Sequence, residues 1–543
     1  MKKYSTIMVC IFSIWAIWDI CQLSWLSDDA FISFRYAEFL AQGEGLVYNQ
    51  GEYVEGYTNL LWTVWLAVGI FFGFAVETVA HVSSILACIG CLFVWSLCTR
   101  EKRASLGFCF LVGMFHIRIF ATSGLESQWF LLWISLAVFG LWRDIPKLLY
   151  TAVVLSILTR PEGGILWIAG VVALPRRQEK YGLALMGMVT LLCLEMWRWS
   201  TYHAWLPNTF YAKAADANWQ QGWLYIWLFI KQYYLVALAM VASVWLWKDS
   251  SSNPEDKRLG LFSTLFALIY VLHVARAGGD FMMARFCLPW TVPIVLTGGL
   301  VLQDKLRGYR VDLLAGLLIF AMAFFAPRDA RLEEIGAEGI GVHGITDEHV
   351  WYPEYWRVEA ERLGAVVQPF FTVDTDTACT PSVVIYGGQA MFAYYAKLPY
   401  VLEGMAGLTD IELARMHERD SRIGHGRKAS VGYLQERGVD LYLDFRIQQS
   451  SSSQINHIQL GEVTGSIISY KKCVLDRLEA QGAIFVNFPR YIEMYISQNH
   501  PIEKICSDYP NFFQYYFRHN PTDPTAMSLL RFFQEKCEVI EVP

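Results

Sequence analysis

Asp28-Asp29-Ala30-Phe31-Ile32-Ser33-Phe34-Arg35-Tyr36-Ala37 follows an apolar run, residues 7–23, and leads to Val54-Glu55-Gly56-Tyr57-Thr58-Asn59, where the next apolar run begins. Two adjacent carboxylates at a membrane surface repel one another, and each prefers bulk water. Their retention there predicts a function. Asp is a favoured N-cap residue, so one of the two is expected to cap the helix that begins near Ala30. The second is left for chemistry.

Around this stretch the chain is far too apolar for a soluble protein: of 543 residues, 55% are hydrophobic, 17% charged and 15% aromatic. Runs near the ~20 residues that span a bilayer centre on 7–23, 60–74, 79–97, 106–120, 129–141, 148–174, 183–199, 224–247, 259–274, 286–302 and 311–325. The reading is an α-helical polytopic membrane protein of roughly eleven transmembrane helices. The first run is longer than a signal-peptide core and lacks a small-residue cleavage pattern, so it is expected to stay as an anchor.

Basic loops orient the spans. Lys2-Lys3, Arg176-Arg177 with Lys180, Lys248 with Lys257-Arg258, and Lys305 with Arg307 and Arg310 are expected in the cytoplasm. The Asp28-Asp29 loop then faces outward. Simple alternation puts Arg100-Glu101-Lys102-Arg103 outside as well, against the rule. A broken or re-entrant segment between residues 60 and 174 restores the parity, and Arg160-Pro161-Glu162-Gly163 inside an apolar run is the expected break.

From about Pro327 onward no span-length apolar run occurs, and 20 Lys+Arg stand against 29 Asp+Glu, compared with 24 and 21 in the first 326 residues. Residues 1–326 are read as the transmembrane domain, with its first outer loop at 26–59. Residues 327–543 are read as a soluble α/β domain on the same face, large enough for its own core. Val383 to Tyr386, Tyr400 to Leu402, Gly438 to Leu443 and Ala483 to Val486 read as strands, Ala390 to Lys397 as a helix, and Ser450 to Ser453 as a loop. Gly387-Gly388 after the first strand lacks the third glycine of a nucleotide fold. Cys379, Cys473, Cys506 and Cys537 allow two disulfides in three connectivities.

Polar clusters interrupt apolar sequence near the outer face: Asp28/Asp29 with Arg35 and Glu38; Glu55 to Asn59; Ser123-Gly124-Leu125-Glu126; Arg160-Pro161-Glu162; Gly278-Gly279-Asp280-Phe281 with Arg285; and Leu206 to Lys213. Each pair alone reads equally well as an ion pair holding helices together. Their convergence on one face predicts a pocket suited to a lipid-linked anion, with cations for phosphate, a carboxylate for proton transfer and aromatics for a sugar and lipid chain.

Those motifs, with Thr159-Arg160-Pro161-Glu162-Gly163, Leu206-Pro207-Asn208-Thr209-Phe210-Tyr211-Ala212-Lys213 and Arg422-Ile423-Gly424-His425, resemble bacterial membrane glycosyltransferases of the GT-C fold. The terminal arabinofuranosyltransferase of mycobacterial cell-wall arabinan and the type IV pilin arabinosyltransferases are similar. The resemblance implies transfer of a sugar, arabinofuranose first among candidates, from a decaprenyl- or undecaprenyl-phosphate donor to a glycan or pilin-like protein on the periplasmic side of the inner membrane. No nucleic-acid partner is expected. Asp29 is the expected catalytic carboxylate, as general base or as stabiliser of an oxocarbenium-like sugar, with Asp28 orienting it. Arg160, Lys213 and Arg285 are expected on the phosphate. Glu55, Glu126, Glu162 and Asp280 are expected to hold sugar hydroxyls or lock those cations. Arg35, Tyr57, Asn59, Asn208, Tyr211 and His425 complete the expected substrate contacts. A divalent cation on Asp28 and Asp29 is possible chemistry, but two adjacent carboxylates without a third ligand are weak support. A lipid-linked sugar transporter or flippase would also line a cavity with polar residues, although matching internal repeats are absent. A membrane-anchored binding protein would not explain charge concentrated in the membrane part.

Overall fold

The computed structural model describes residues 2–99, 105–213, 217–249, 252–306, 309–332, 341–372, 379–387, 389–416, 424–444, 456–521 and 523–537. The expectations at 100–103, Arg307, Gly388, Arg422, Ile423 and Ser450 to Ser453 lie outside the described residues. The chain forms two compact units. The first comprises 1–46, 53–354 and 420–424; the second comprises 47–52, 355–419 and 425–543.

The first unit is helical. Val76–Leu97, Arg177–Tyr202 and Pro254–Ala277 are long and apolar enough to cross a membrane, and a pair bent by 97°, Trp219–Gln232 with Leu235–Lys248, would make a fourth. Shorter apolar helices include Leu60–Phe71, Ser127–Trp142, Pro146–Thr159 and Gly163–Ala173.

Three of the apolar runs are broken. In 106–120 the helix Leu106–Gly113 stops at Met114, which turns extended. Arg118 folds back to donate to the Val112 and Gly113 carbonyls at 2.9 and 2.8 Å, satisfying helix-end acceptors that lipid cannot. Its Nε reaches Asp19 at 2.6 Å. In 224–247 the helix ends at Tyr233, whose hydroxyl meets His116 Nδ1 at 2.9 Å. In 148–174 the chain breaks at Arg160-Pro161-Glu162 between two helices, as the proline implied. A Cβ on Gly163 would lie 2.4 Å from the backbone of Ser156 and Ile157, so only glycine permits this reversal.

The helix Asp28–Ala41 begins at Asp28, and its N-cap is Ser27, which makes no side-chain cap bond. The expectation that one aspartate caps this helix is therefore corrected: both lie in its first turn, where the positive end of the helix dipole favours them. Gly124 at φ +79° lets the 123–126 loop press on this helix, since a Cβ there would come within 2.8 Å of Ala30 and Leu26. Ser27 N–H donates to Ser123 O at 2.9 Å, and Trp62 Nε1 to Gly124 O at 3.2 Å.

The second unit holds a six-stranded mixed sheet in the order β2-β1-β3-β5-β4-β6. Its strands are β1 Val383–Ile385, β2 Val401–Glu403, β3 Leu441–Asp444, β4 His457–Leu460, β5 Val463–Ile467 and β6 Ile484–Phe485. β1 runs parallel to both β2 and β3, and the remaining pairings are antiparallel. The helix Ala390–Tyr395 makes the crossover from β1 to β2 that a parallel pair needs. Val384, Leu402, Leu413, Leu434 and Val439 pack in the core. The four cysteines pair as Cys379–Cys473 and Cys506–Cys537, each with Cα atoms 5.4 Å apart.

Residues 47–52 belong to this unit although they come from the first loop. The Asn49 side chain donates to Val401 O and accepts from Val401 N–H, both at 2.9 Å. Glu52 pairs with Arg437 at 2.9 Å.

Candidate active site

The site builds from two helix ends, one closed by glycines and the other broken at a proline. At the end of Pro254–Ala277, Gly278 (φ +86°) and Gly279 (φ +80°) adopt left-handed backbone, and Gly279 N–H returns to Val274 O at 2.9 Å. This is a Schellman-type stop, which glycine allows without penalty. It delivers Asp280, whose carboxylate takes the Arg285 Nε at 2.5 Å. The Tyr225 hydroxyl secures the same turn, donating to Met282 O at 3.0 Å and accepting from Phe286 N–H at 3.1 Å.

At the Arg160 break, Nη1 reaches Glu126 at 2.9 Å while Nη2 and Nε take Glu162 at 2.8 and 3.3 Å. Glu126 in turn accepts from Asn59 at 2.8 Å, and Asn59 is tied to Ser33 and Thr63. The motifs at 54–59, 123–126 and 159–163 thus form one hydrogen-bonded chain, in which Arg160 is shared by two carboxylates.

Arg160, Glu162, Lys213, Asp280 and Arg285 line one cavity of about 360 Å³, together with Glu195, Arg198 and His273. Apart from Thr58 and Thr209 its walls are otherwise apolar, among them Ile157, Leu191, Leu206, Phe210 and Phe286. The Arg160 guanidinium lies 5.0 Å from the Phe286 ring, and that of Arg285 lies 5.2 Å from it. Lys213 Nζ sits 3.8 Å from an Asp29 oxygen and 5.4 Å from the Phe281 ring. Asp29 also acts electrostatically on Arg285. Asp29 is partly exposed, while Asp28 is buried.

Arg35, Glu55, Tyr57, Asn208, Tyr211 and His425 are not among the residues that line this cavity. Glu55 is gripped by Arg198, through Nε at 2.6 Å and Nη2 at 3.2 Å. Burial pushes the Glu55 carboxyl above its ordinary range, against the pull of that guanidinium. Asn208 N–H donates to Glu55 O at 3.0 Å. The Tyr57 hydroxyl meets that of Tyr202 at 3.1 Å. Arg35 is buried over the Phe39 ring at 5.2 Å, and Tyr211 is half-buried with its ring 5.6 Å from that of Phe210. His425 belongs to the second unit, where it is half-buried. Among the described residues no three His, Cys, Asp or Glu side chains come together as a metal site.

Arg198 and Glu195 were not foreseen. Their signal is a charge pair within an apolar run, Glu195-Met196-Trp197-Arg198-Trp199, which costs too much in lipid to be idle. His273 gave the same sign near the end of its span.

No family model matches the chain. It is 28% identical over 417 residues to the terminal β-(1→2)-arabinofuranosyltransferase of Corynebacterium glutamicum, covering 67% of this chain and 60% of that relative. To the enzyme of the same description from Mycobacterium tuberculosis it is 27% identical over 401 residues, covering 62% and 64%. The chain therefore spans less than two thirds of the length of either. A crystal structure of ArnT from Cupriavidus metallidurans bound to undecaprenyl phosphate matches with a TM-score of 0.51 at 11% identity, covering 74% of this chain and 87% of that one. The protein thus has the GT-C fold that ArnT shares, and its sequence is similar to those of terminal arabinofuranosyltransferases.

Proposed function

We propose that the chain is a multi-pass glycosyltransferase of the inner membrane that moves arabinofuranose from a polyprenyl-phosphate donor to a glycan or pilin-like protein on the periplasmic side. The observation that carries this reading is Asp29, 3.8 Å from Lys213, with Lys213 and Arg285 lining an apolar-walled cavity. Similarity to arabinofuranosyltransferases, and a fold shared with a protein whose structure holds undecaprenyl phosphate, support the donor class.

In the transfer, the bond between the anomeric carbon and the donor phosphate breaks, and the acceptor oxygen bonds to that carbon. The acceptor's proton goes to Asp29. The departing polyprenyl phosphate gains charge that Lys213 and the terminal nitrogens of Arg285 offset. Arg160 has a different role in this reading: with three of its donors on Glu126 and Glu162, it braces the wall rather than the phosphate. Apolar side chains keep water from competing with the acceptor.

The test is transfer by purified enzyme from a panel of synthetic polyprenyl-phosphate sugars, arabinofuranose included. Transfer lost on Asp29→Asn in a folded variant supports the proposal. Donor binding without transfer by the wild type would overturn it.

A further inference from the structure

A second cavity in the membrane unit, about 330 Å³, shares no residue with the first. It is lined by Leu228, Lys231, Gln232, Pro327, Arg328, Asp329, Ala330, Arg331 and Leu332, so three cations meet one carboxylate. Lys231 Nζ lies 3.9 Å from Asp329, and Arg331 holds the same carboxylate at 2.7 Å. Arg328 stacks over Phe115 at 4.1 Å and reaches Asp347 at 3.8 Å. Among the described residues the lining thus carries more cations than carboxylates.

Gln232 is the independent observation. It is only 4% exposed, and its amide nitrogen is buried without an acceptor among the described residues. A buried donor without an acceptor is costly. An anion in the cavity would satisfy it. The helix that ends here, Trp219–Gln232, presents exposed Trp219, Trp223 and Trp227 at four-residue intervals, followed by Lys231. It bends 97° away from Leu235–Lys248. A row of tryptophans ending in lysine suits a helix lying among lipid headgroups rather than crossing the bilayer.

The geometry points to a phosphate-binding site formed by Lys231, Gln232, Arg328 and Arg331, separate from the donor cavity, and the tryptophan row makes a lipid headgroup its source. Phosphate oxygens accept from the Gln232 amide and from the guanidinium groups, and Lys231 closes the site from the interface. The site stands independently of the transferase reading.

The test uses the purified full chain in detergent, with native mass spectrometry of retained lipid. Dioleoyl phosphatidylglycerol is compared with dioleoylglycerol, which lacks the phosphate, and inorganic phosphate forms a separate arm. Phosphatidylglycerol is expected to be retained and dioleoylglycerol not. Lys231→Gln with Arg331→Gln, both 61% exposed, should weaken retention roughly thirtyfold. Gln232→Leu should weaken it too, with no loss of thermal stability. Binding of inorganic phosphate that depends on the same residues, without retention of phosphatidylglycerol, would keep the site and assign it to the free anion. Retention indifferent to all three substitutions in both arms overturns the proposal.

Discussion

Arg198 and Glu55, 143 residues apart, form a two-point ion pair at 2.6 and 3.2 Å with side chains only 6% and 3% exposed. Arg198 also meets Glu195 at 2.5 Å. The pair fastens the segment that precedes the helix Leu60–Phe71, through Glu55, to the long helix Arg177–Tyr202.

Glu55→Ala strands a buried guanidinium and should cost about 3–5 kcal/mol, whereas Glu55→Leu with Arg198→Leu should recover most of that. Thermal unfolding of the three proteins measures this. The sign with pH follows from the raised carboxyl. Its stabilising share is complete below the unfolded value, near 4.5, and is lost as pH rises through the folded value. The double variant should lack that slope.

Asp29→Asn should lower turnover by about 10²–10⁴, the usual contribution of a positioned proton acceptor, with little change in donor KM. Asp28→Asn, buried in the same helical turn, should act more weakly. Steady-state kinetics with a polyprenyl-phosphate arabinofuranose separates the two. Equal loss in both would mean that the two carboxylates do not differ in role.

Lys213 and Arg160 should fail differently. Lys213→Gln loses a charge-assisted contact and should raise donor KM by about 10- to 100-fold, with an unchanged melting temperature. Arg160→Gln leaves Glu126 and Glu162 uncompensated and should unfold several degrees earlier. A donor-binding defect alone in Arg160→Gln would refute its bracing role.

Gly279→Ala places a Cβ 2.6 Å from Tyr225 on backbone at φ +80°. Strain and overpacking together should cost about 2–5 kcal/mol. Because Tyr225 holds the turn that carries Arg285, donor affinity should fall in whatever fraction stays folded.

The two disulfides close loops of 94 and 31 residues. Removing Cys379–Cys473 should cost about 4–5 kcal/mol and Cys506–Cys537 about 3–4 on loop entropy. Serine pairs compared by chemical denaturation would rank them.

Most of the candidate site is visible in the chain because membranes make idle charge expensive. Arg160, Glu162, Lys213, Asp280 and Arg285 all stand out from apolar surroundings, and all line one cavity. Arg198 was hidden because a charge flanked by two tryptophans still averages as a hydrophobic span. The breaks at Met114 and Tyr233 depend on partners distant in sequence, Asp19 for the arginine that folds back at the first and His116 at the second, which hydropathy cannot register. The hairpin of β4 and β5 went unread although His457 to Leu460 alternates in burial and Gly461 turns at φ +61°. Its strands are short and polar on one face, and no strong turn dipeptide marks them.

Asn49 has a consequence for how this protein can be divided. Its amide meets both backbone groups of Val401 as a neighbouring strand's peptide would, so it blunts the edge of β2 against pairing with another molecule. A fragment cut at residue 355 would carry every strand of the sheet yet leave that edge uncovered, and should self-associate. Supplying a peptide of residues 47–52 in trans should restore a monomer.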